Sequence, residues 1–559
     1  MASFRNEVLD RKRHAVAVAS GDVSVDVWLE LPGQRYLFRD RSQWSESYQD
    51  SEVTTGLHRW GWLLRGVTDS RNPLGFDIGM TLMRSWIADC LGQTRHAQDA
   101  YSNAERIVNG ALFVNYYRGW SATPPDVLSA FEQMAQEIAR HIEYFPGDQT
   151  GNHAFNNGRG LFFAGVLTRT PAMISLAHAI FSERLPILVT KDGFLREASS
   201  HYHFLFTRWV LEVCWLAAES GQEKTLSLVR PYAEKLVARC WFFLVLEPKS
   251  QRFSMPFIGD ISPDFPPQWL LSLPWSSLAR QFQPADAPVP GGLLMPGWAD
   301  LFGVRNTGTE AYRCVTECFP DSHWFRLVMK DLTVFCFAEP VIGRYRGDHK
   351  HNDLCGFMAF YRGMPAMLDP GRLDYTRSPL SLYGMDPMGH NSLLVNGLPP
   401  VPEGKSWFVR AYRAVRVKTR LHLGAETIAL VIEHDGFNRL VRGKIDHVRE
   451  IRVGNDVLEV IDRVNSRDPC SCVFRFHWSA DRSVVVRGKT FGQEQNVVCR
   501  VDLDERLSVD FLENSHSDPI GGVCVSEYGL LEPCLTFHLH GDVAPPASSV
   551  IHRFSWSNS

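Results

Sequence analysis

No run of 18 apolar residues occurs in this chain of 559 residues, so no segment reads as a helix crossing a bilayer. No repeated CxxC spacing organises its 12 cysteines, which excludes a zinc ribbon and a small disulfide scaffold. Cys240 and Cys336 stand inside the apolar runs ARCWFFLVL and TVFCFAEP and read as reduced core residues. An excess of one charge is also missing: 58 Lys and Arg face 62 Asp and Glu, a net charge of −4. That balance lacks the basic excess of a nucleic-acid binder, so an anionic ligand must be held by local groups. Internal repeats and low-complexity tracts are absent as well. Near the start, AVAVA is too short for the apolar core of a signal peptide, and a cytoplasmic location is the expectation.

What is present is ordinary globular composition, 45% hydrophobic and 21% charged, in a length that implies more than one domain. From about Trp60 to Phe257 the pattern is helical. After Thr123 and Pro124, a cap and a first-turn proline, Phe131, Met134, Ile138 and Ile142 recur at three- and four-residue spacing on one helix face. FDIGMTLMRSWIADCL, GLFFAGVLT, FTRWVLEVCWLAAES and VRPYAEKLVARCWFFLVL extend this into helical hairpins. A proline-rich stretch follows and predicts a linker over 262–305. Beyond about Asn306 the signal is strands: HWFRLVMKDLTVFCFAEPV, GFMAFYRGMPAMLDPG and CVFRFHWS, with a hairpin turning at Gly454, Asn455 and Asp456. The reading is a multidomain α+β chain, helical over 1–261 and an antiparallel β-sandwich over 306–559.

Polar side chains concentrate in three places. Thr150 to Gly160 (TGNHAFNNGRG) precedes an apolar helix; it can be a simple helix start, or it can aim Asn152 and His153 into a cleft as donors to an anion. Lys191 to His203 (KDGFLREASSHYH) places Glu197 beside three successive ring-bearing titratable side chains, where Tyr202 can be core or can act as acid or base. Asp348 to Asp353 (DHKHND) is followed by Asp369 and His390. On a strand His349 and His351 share a side, and two imidazoles with a carboxylate are ligands suited to zinc.

GNH, DGFLREASSHYH, MPFIGD, DHKHND, MLDPG and GHNSLLVNG occur in the order found in the heparinase II/III-like polysaccharide lyases, which the chain resembles over roughly residues 60–400. The resemblance implies an N-terminal incomplete (α/α) toroid, a C-terminal antiparallel β-sandwich, and an active site between them. It also implies β-elimination on a uronic-acid-containing glycan. Asn152 and His153 match the pair that neutralises the uronate carboxylate, Tyr202 the acid, and His349 its partner base. His351, Asp369 and His390 match the ligands of a largely structural zinc.

Arg372, Tyr375, Tyr383 and Asn156 are candidates for substrate contact, and Asp260 for orienting its neighbours. Asn156 stands where some glycosaminoglycan lyases carry a glutamate, so their specificity is not transferred. The partner implied is an acidic polysaccharide or oligosaccharide, with self-association common among relatives. A non-catalytic carbohydrate-binding protein and a zinc-dependent glycan hydrolase are the alternatives.

Overall fold

The structure is a computed structural model that describes Arg5 and residues 24–69, 73–93, 98–144, 151–249, 252–271, 314–340, 349–401, 414–438, 445–491, 497–513, 522–543 and 547–558. Thr150 and Asp348 of the sequence motifs, and residues 272–305 of the expected linker, lie outside these. No helix among the described residues is long and apolar enough to cross a membrane. None of the twelve cysteines forms a disulfide, and all but Cys314 and Cys318 are buried, as their apolar surroundings predict.

The N-terminal half is a toroid of helical hairpins. Three of its helices, Ala100–Arg118, Asn152–Leu167 and Ser200–Glu219, are enclosed nearly all round, which fits their lack of a single apolar stripe. A charge network fastens these three. Arg159 Nη1 meets Glu105 Oε1 at 2.7 Å and Arg159 Nη2 meets Glu212 Oε2 at 2.6 Å, while Arg208 Nε bonds Glu212 Oε1 at 2.7 Å. Full burial makes mutual pairing obligatory for such charges. Pro125–Arg140 is an outer helix with proline at its start and Phe131, Met134 and Ile138 turned inward, as the spacing predicts. Ile142 lies past its end and is half-buried.

Two features depart from the sequence reading. Ahead of the helices stands an unforeseen hairpin, Ser24–Leu31 and Gln34–Asp40, which buries Leu29, Leu31 and Phe38. The expected linker also starts too early at 262. Phe265 and Trp269 stack 4.3 Å apart, and the Arg208 guanidinium lies 4.1 Å over Phe265. Here the prolines set the entry to a short buried helix, Pro267–Leu270, so proline content alone misread a packed segment.

The C-terminal half is the expected sandwich. One sheet runs Ser508–Glu513, Leu530–Val543, Cys470–Ser479, Met364–Met367, Phe357–Tyr361, Leu332–Phe337, Trp324–Met329 and Glu317–Phe319. The facing sheet is built around the predicted hairpin, Asp446–Val453 and Val457–Asn465, with Ile428–His434 on one side and Ala547–Asn558 on the other. Leu327, Val334 and Phe476 of the first sheet share a core with Leu430, Ile451, Val460 and Phe554 of the second.

The first sheet is covered on its other face too, where Trp324, Phe335, Phe337, Met358 and Phe360 join the toroid core. Burial on both faces explains why TVFCF and FMAFY read as unbroken apolar runs without alternation.

Candidate active site

The toroid and sandwich meet along the stretch Ile258–Asp260. Ser200 N donates to Ile258 O at 3.0 Å, and Asp260 N donates to His349 O at 2.9 Å. Ser199 caps the Ser200–Glu219 helix by accepting from Tyr202 N, and its own hydroxyl donates to Asp260 O at 2.7 Å. Between these contacts Gly259 sits at φ +79°. A Cβ there would lie 2.6 Å from Ala198 O and 2.7 Å from His349 O, both backbone atoms. The IGD motif thus spaces the loops from the two halves. Gly259→Ala is expected to lower thermal stability and turnover together, because it pushes the Ser199 and His349 segments apart; a melting curve and an activity assay matching those of the unaltered protein would refute this.

Across that seam the Tyr202 and His349 rings stack at 3.5 Å between centroids and 14° between planes. His349 Nδ1 lies 3.1 Å from Asp260 Oδ2, and its Nε2 faces Glu197 Oε2 at 3.7 Å. Nδ1 is thus placed to donate to the Asp260 carboxylate. Burial pushes Asp260 up, but its bonds to His349 and His351 outweigh that and hold the carboxyl well below the usual range.

Tyr202 OH lies 2.7 Å from Tyr375 OH. Burial raises the Tyr202 phenol well above its ordinary value; the bond to Tyr375 opposes this, and Asp260, Asp264 and Glu52 add to it. Tyr202 is therefore protonated at neutral pH. Arg372 lies 4.5 Å over the Tyr375 ring, with Nη1 3.6 Å from Asp260 Oδ2.

On the toroid side, Asn152 begins its helix buried, its backbone N donating to Glu197 Oε1 at 2.7 Å and its Nδ2 donating to Glu197 Oε2. The His153 side chain is 52% exposed, with Nδ1 2.9 Å from Glu143 Oε1 and its ring against Tyr101. Partial desolvation lowers its basicity, but Glu143 more than offsets this and the ring's pKa is raised.

His351, Asp369 and His390 are all buried, and each offers a ligand atom within 4.8 Å of the others. A cation fits this set. His351 Nδ1 and His390 Nε2 have no hydrogen-bond partner, a costly state for buried imidazole, while Asp260 takes His351 Nε2 at 2.8 Å. Burial lowers the His390 pKa, but Asp369 outweighs it and raises it.

Cys355, His434 and His447 form a second close group with a different character. Gly436 N donates to His434 Nδ1 at 3.2 Å, His434 Nε2 meets His447 Nδ1 at 2.8 Å, and His447 Nε2 meets Asp462 Oδ1 at 2.7 Å. Every ring nitrogen there is satisfied without a cation. Burial also pushes the Cys355 thiol up to about 12, against the pull of Arg449.

Two expected substrate contacts do not join the cleft. Asn156 is wholly buried and its Oδ1 accepts from Arg159 Nη1 at 2.7 Å, so it serves the charge network of the inner helices. Tyr383 is buried inside the sandwich with its hydroxyl 3.1 Å from His477 Nε2. Asn156 lies within a motif and Tyr383 between two of them, but helical phase and loop packing, which the motif text does not carry, turn them inward. Conversely, Glu143 and Tyr101, which support His153, belong to no motif and give no signal in the sequence.

Three solved structures resemble the chain through most of both lengths. A heparinase III aligns at TM-score 0.69 and 16% identity, covering 92% of this chain and 79% of that one. A heparan sulfate lyase mutant from Pedobacter heparinus gives 0.61 and 15%, covering 100% and 88%. A chondroitin AC lyase from Streptomyces coelicolor A3, solved with chondroitin sulphate, gives 0.51 and 14%, covering 90% and 74%. No curated protein matches the chain.

Fold and cleft together define a protein of the class that joins an (α/α) toroid to an antiparallel β-sandwich, the architecture of those enzymes. More narrowly, residues 316–519 match the family described as Heparinase II/III-like, C-terminal.

Proposed function

We propose that the protein is a polysaccharide lyase that cleaves a uronic-acid-containing glycan by β-elimination. The observation that carries this reading is the stacked pair Tyr202 and His349, one from each half of the chain. A phenol kept protonated by burial suits a general acid. An imidazole with Nδ1 committed to Asp260 suits a base at Nε2.

In the step, His349 Nε2 takes the proton from carbon 5 of the uronate. The C5–H electron pair becomes the second bond between carbons 4 and 5. The C4–O bond breaks with its pair, and the departing glycosidic oxygen receives the Tyr202 proton. Negative charge builds on the uronate carboxylate as carbon 5 loses its proton, and Asn152 and His153 stand at the helix start as its donors. One such donor is worth roughly 10²–10³ in rate in comparable sites. Arg372 and Tyr375 flank the acid and complete the substrate contacts.

His351, Asp369 and His390 would hold a zinc ion. Bound there, it would supply structural charge that fixes the loop presenting His349, through Asp260. Removing metal with a chelator is expected to lower the melting temperature and release about one zinc per chain in elemental analysis, with no such release from a His351→Ala, Asp369→Ala double variant. Equal metal content in both proteins would overturn the ligand assignment.

The test of the function is an absorbance screen for unsaturated uronate over heparan sulfate, chondroitin, hyaluronan and alginate, as polymers and short oligomers. A new chromophore supports the lyase; reducing ends released without it point to hydrolysis, and saccharide binding without product points to a binding protein.

A further inference from the structure

Glu197 is buried in the short segment between the toroid's Pro171–Leu188 and Ser200–Glu219 helices. Its backbone is held from both sides. Arg196 N donates to Leu188 O at 2.8 Å, Ala198 stands at φ +58°, a conformation rare outside glycine, and Ser199 follows as a helix cap. The carboxylate is spent in two directions. Oε1 and Oε2 accept from the backbone and side-chain nitrogens of Asn152, and Oε2 also faces His349 Nε2 at 3.7 Å. Gly151 lets the two approach this closely, since a Cβ on it would stand 3.0 Å from Glu197 Oε1.

We propose that Glu197 is the positioning residue of the carboxylate-binding end of the cleft, fixing the Asn152 amide with its nitrogen presented as donor. This rests on the lyase reading for its role in turnover. An amide side chain has two faces of nearly equal shape and opposite polarity, and nothing in its size decides which one a substrate meets. An ionised carboxylate has acceptors only. It therefore accepts the amide nitrogen and rejects the amide oxygen, and Asn152 Oδ1 is left buried without a partner. With one N–H of Nδ2 held by Glu197, the second is available to the anionic group of the substrate in a preset direction. Preset donors are the ones that assist charge developing in a transition state, because no reorientation accompanies the step.

The test is Glu197→Gln, which keeps the shape but places an NH2 group where one acceptor stood, with Glu197→Asp as a second variant that keeps the charge. Crystal structures of both report directly. In Glu197→Gln the Asn152 amide should rotate or lose its single orientation, and in Glu197→Asp it should keep it; an unmoved amide in Glu197→Gln overturns the proposal whatever the enzyme's reaction is.

On whichever glycan of the panel the unaltered protein cleaves, Glu197→Gln should lower kcat about 10²-fold with KM changed less than about threefold, and Glu197→Asp should recover part of the loss. Combined with Asn152→Ala, Glu197→Gln should add less than about twofold to the loss of Asn152→Ala alone, since both act through one amide. Losses that multiply, or full kcat in Glu197→Gln, sink the positioning role and leave the lyase reading standing. Absence of product from the unaltered protein on every glycan sinks the lyase reading, and the crystal structures then decide the orientation of Asn152 by themselves.

Discussion

Tyr202→Phe is expected to lower kcat by about 10²–10⁴-fold while leaving the melting temperature within a degree or two of its original value. The hydroxyl is the only group removed. Among the described residues its hydrogen-bond partner is Tyr375 OH, a hydroxyl that can turn elsewhere, and the ring stack on His349 survives the change. The helix start also survives, because Ser199 caps it through the backbone nitrogen of residue 202. What is lost is the proton that the leaving oxygen needs. KM should hardly move, since the phenol acts on a bond that breaks only in the transition state. A variant with more than a tenth of the original kcat, measured by the unsaturated product, would remove Tyr202 from the role of acid.

The largest stability effect is expected at Arg449→Met, a loss of about 3–5 kcal/mol measured by urea denaturation. Arg449 is wholly buried and bonds both oxygens of Asp462, at 2.8 and 3.0 Å. Its Nη1 also donates to Cys355 O at 3.0 Å and Asn391 O at 2.7 Å, so it ties the facing sheet to the loops on either side of the proposed zinc ligands. Methionine fills much of the volume but leaves Asp462 as a buried charge with His447 alone beside it.

The pH dependence follows from the same pair. Burial pushes Asp462 up, yet Arg449 and the bond from His447 hold its carboxyl well below the usual range. A depressed carboxyl contributes stability that is fully present above the unfolded value near 4 and is lost as pH falls toward the folded one. Without Arg449 the folded value rises, and acid unfolding should begin at higher pH. An unchanged denaturation midpoint and acid transition would show that Asp462 is stabilised by other means.

Much of this was legible beforehand because the motif residues meet where helix ends and strand ends converge. Asn152 begins a helix and Tyr202 lies three residues past a serine cap, whereas His349 and His351 sit in a loop and not on the strand their spacing suggested. The sandwich was legible from closely spaced β-branched and aromatic runs and from the Gly454 turn. Three things were not. The buried Phe265 and Trp269 stand among prolines that read as a spacer, Asn156 shares a motif with cleft residues but faces Arg159, and Glu143 acquires its role only through contact. In each case the deciding fact is which way a side chain turns in the packed chain, and no neighbour in the text records it.

The sheet that carries Trp324, Phe335 and Phe360 lends one face to each core. The molecule is therefore not two modules on a string but a three-layer stack whose middle layer is covered on both faces along Trp324–Met329, Leu332–Phe337 and Phe357–Tyr361. Cutting the chain between its halves would strand an oily wall on whichever piece kept the sheet and unroof the other. Inheritance, engineering and proteolysis alike must treat the toroid and the sandwich as one indivisible unit, and the cleft at their border inherits the rigidity of that shared wall.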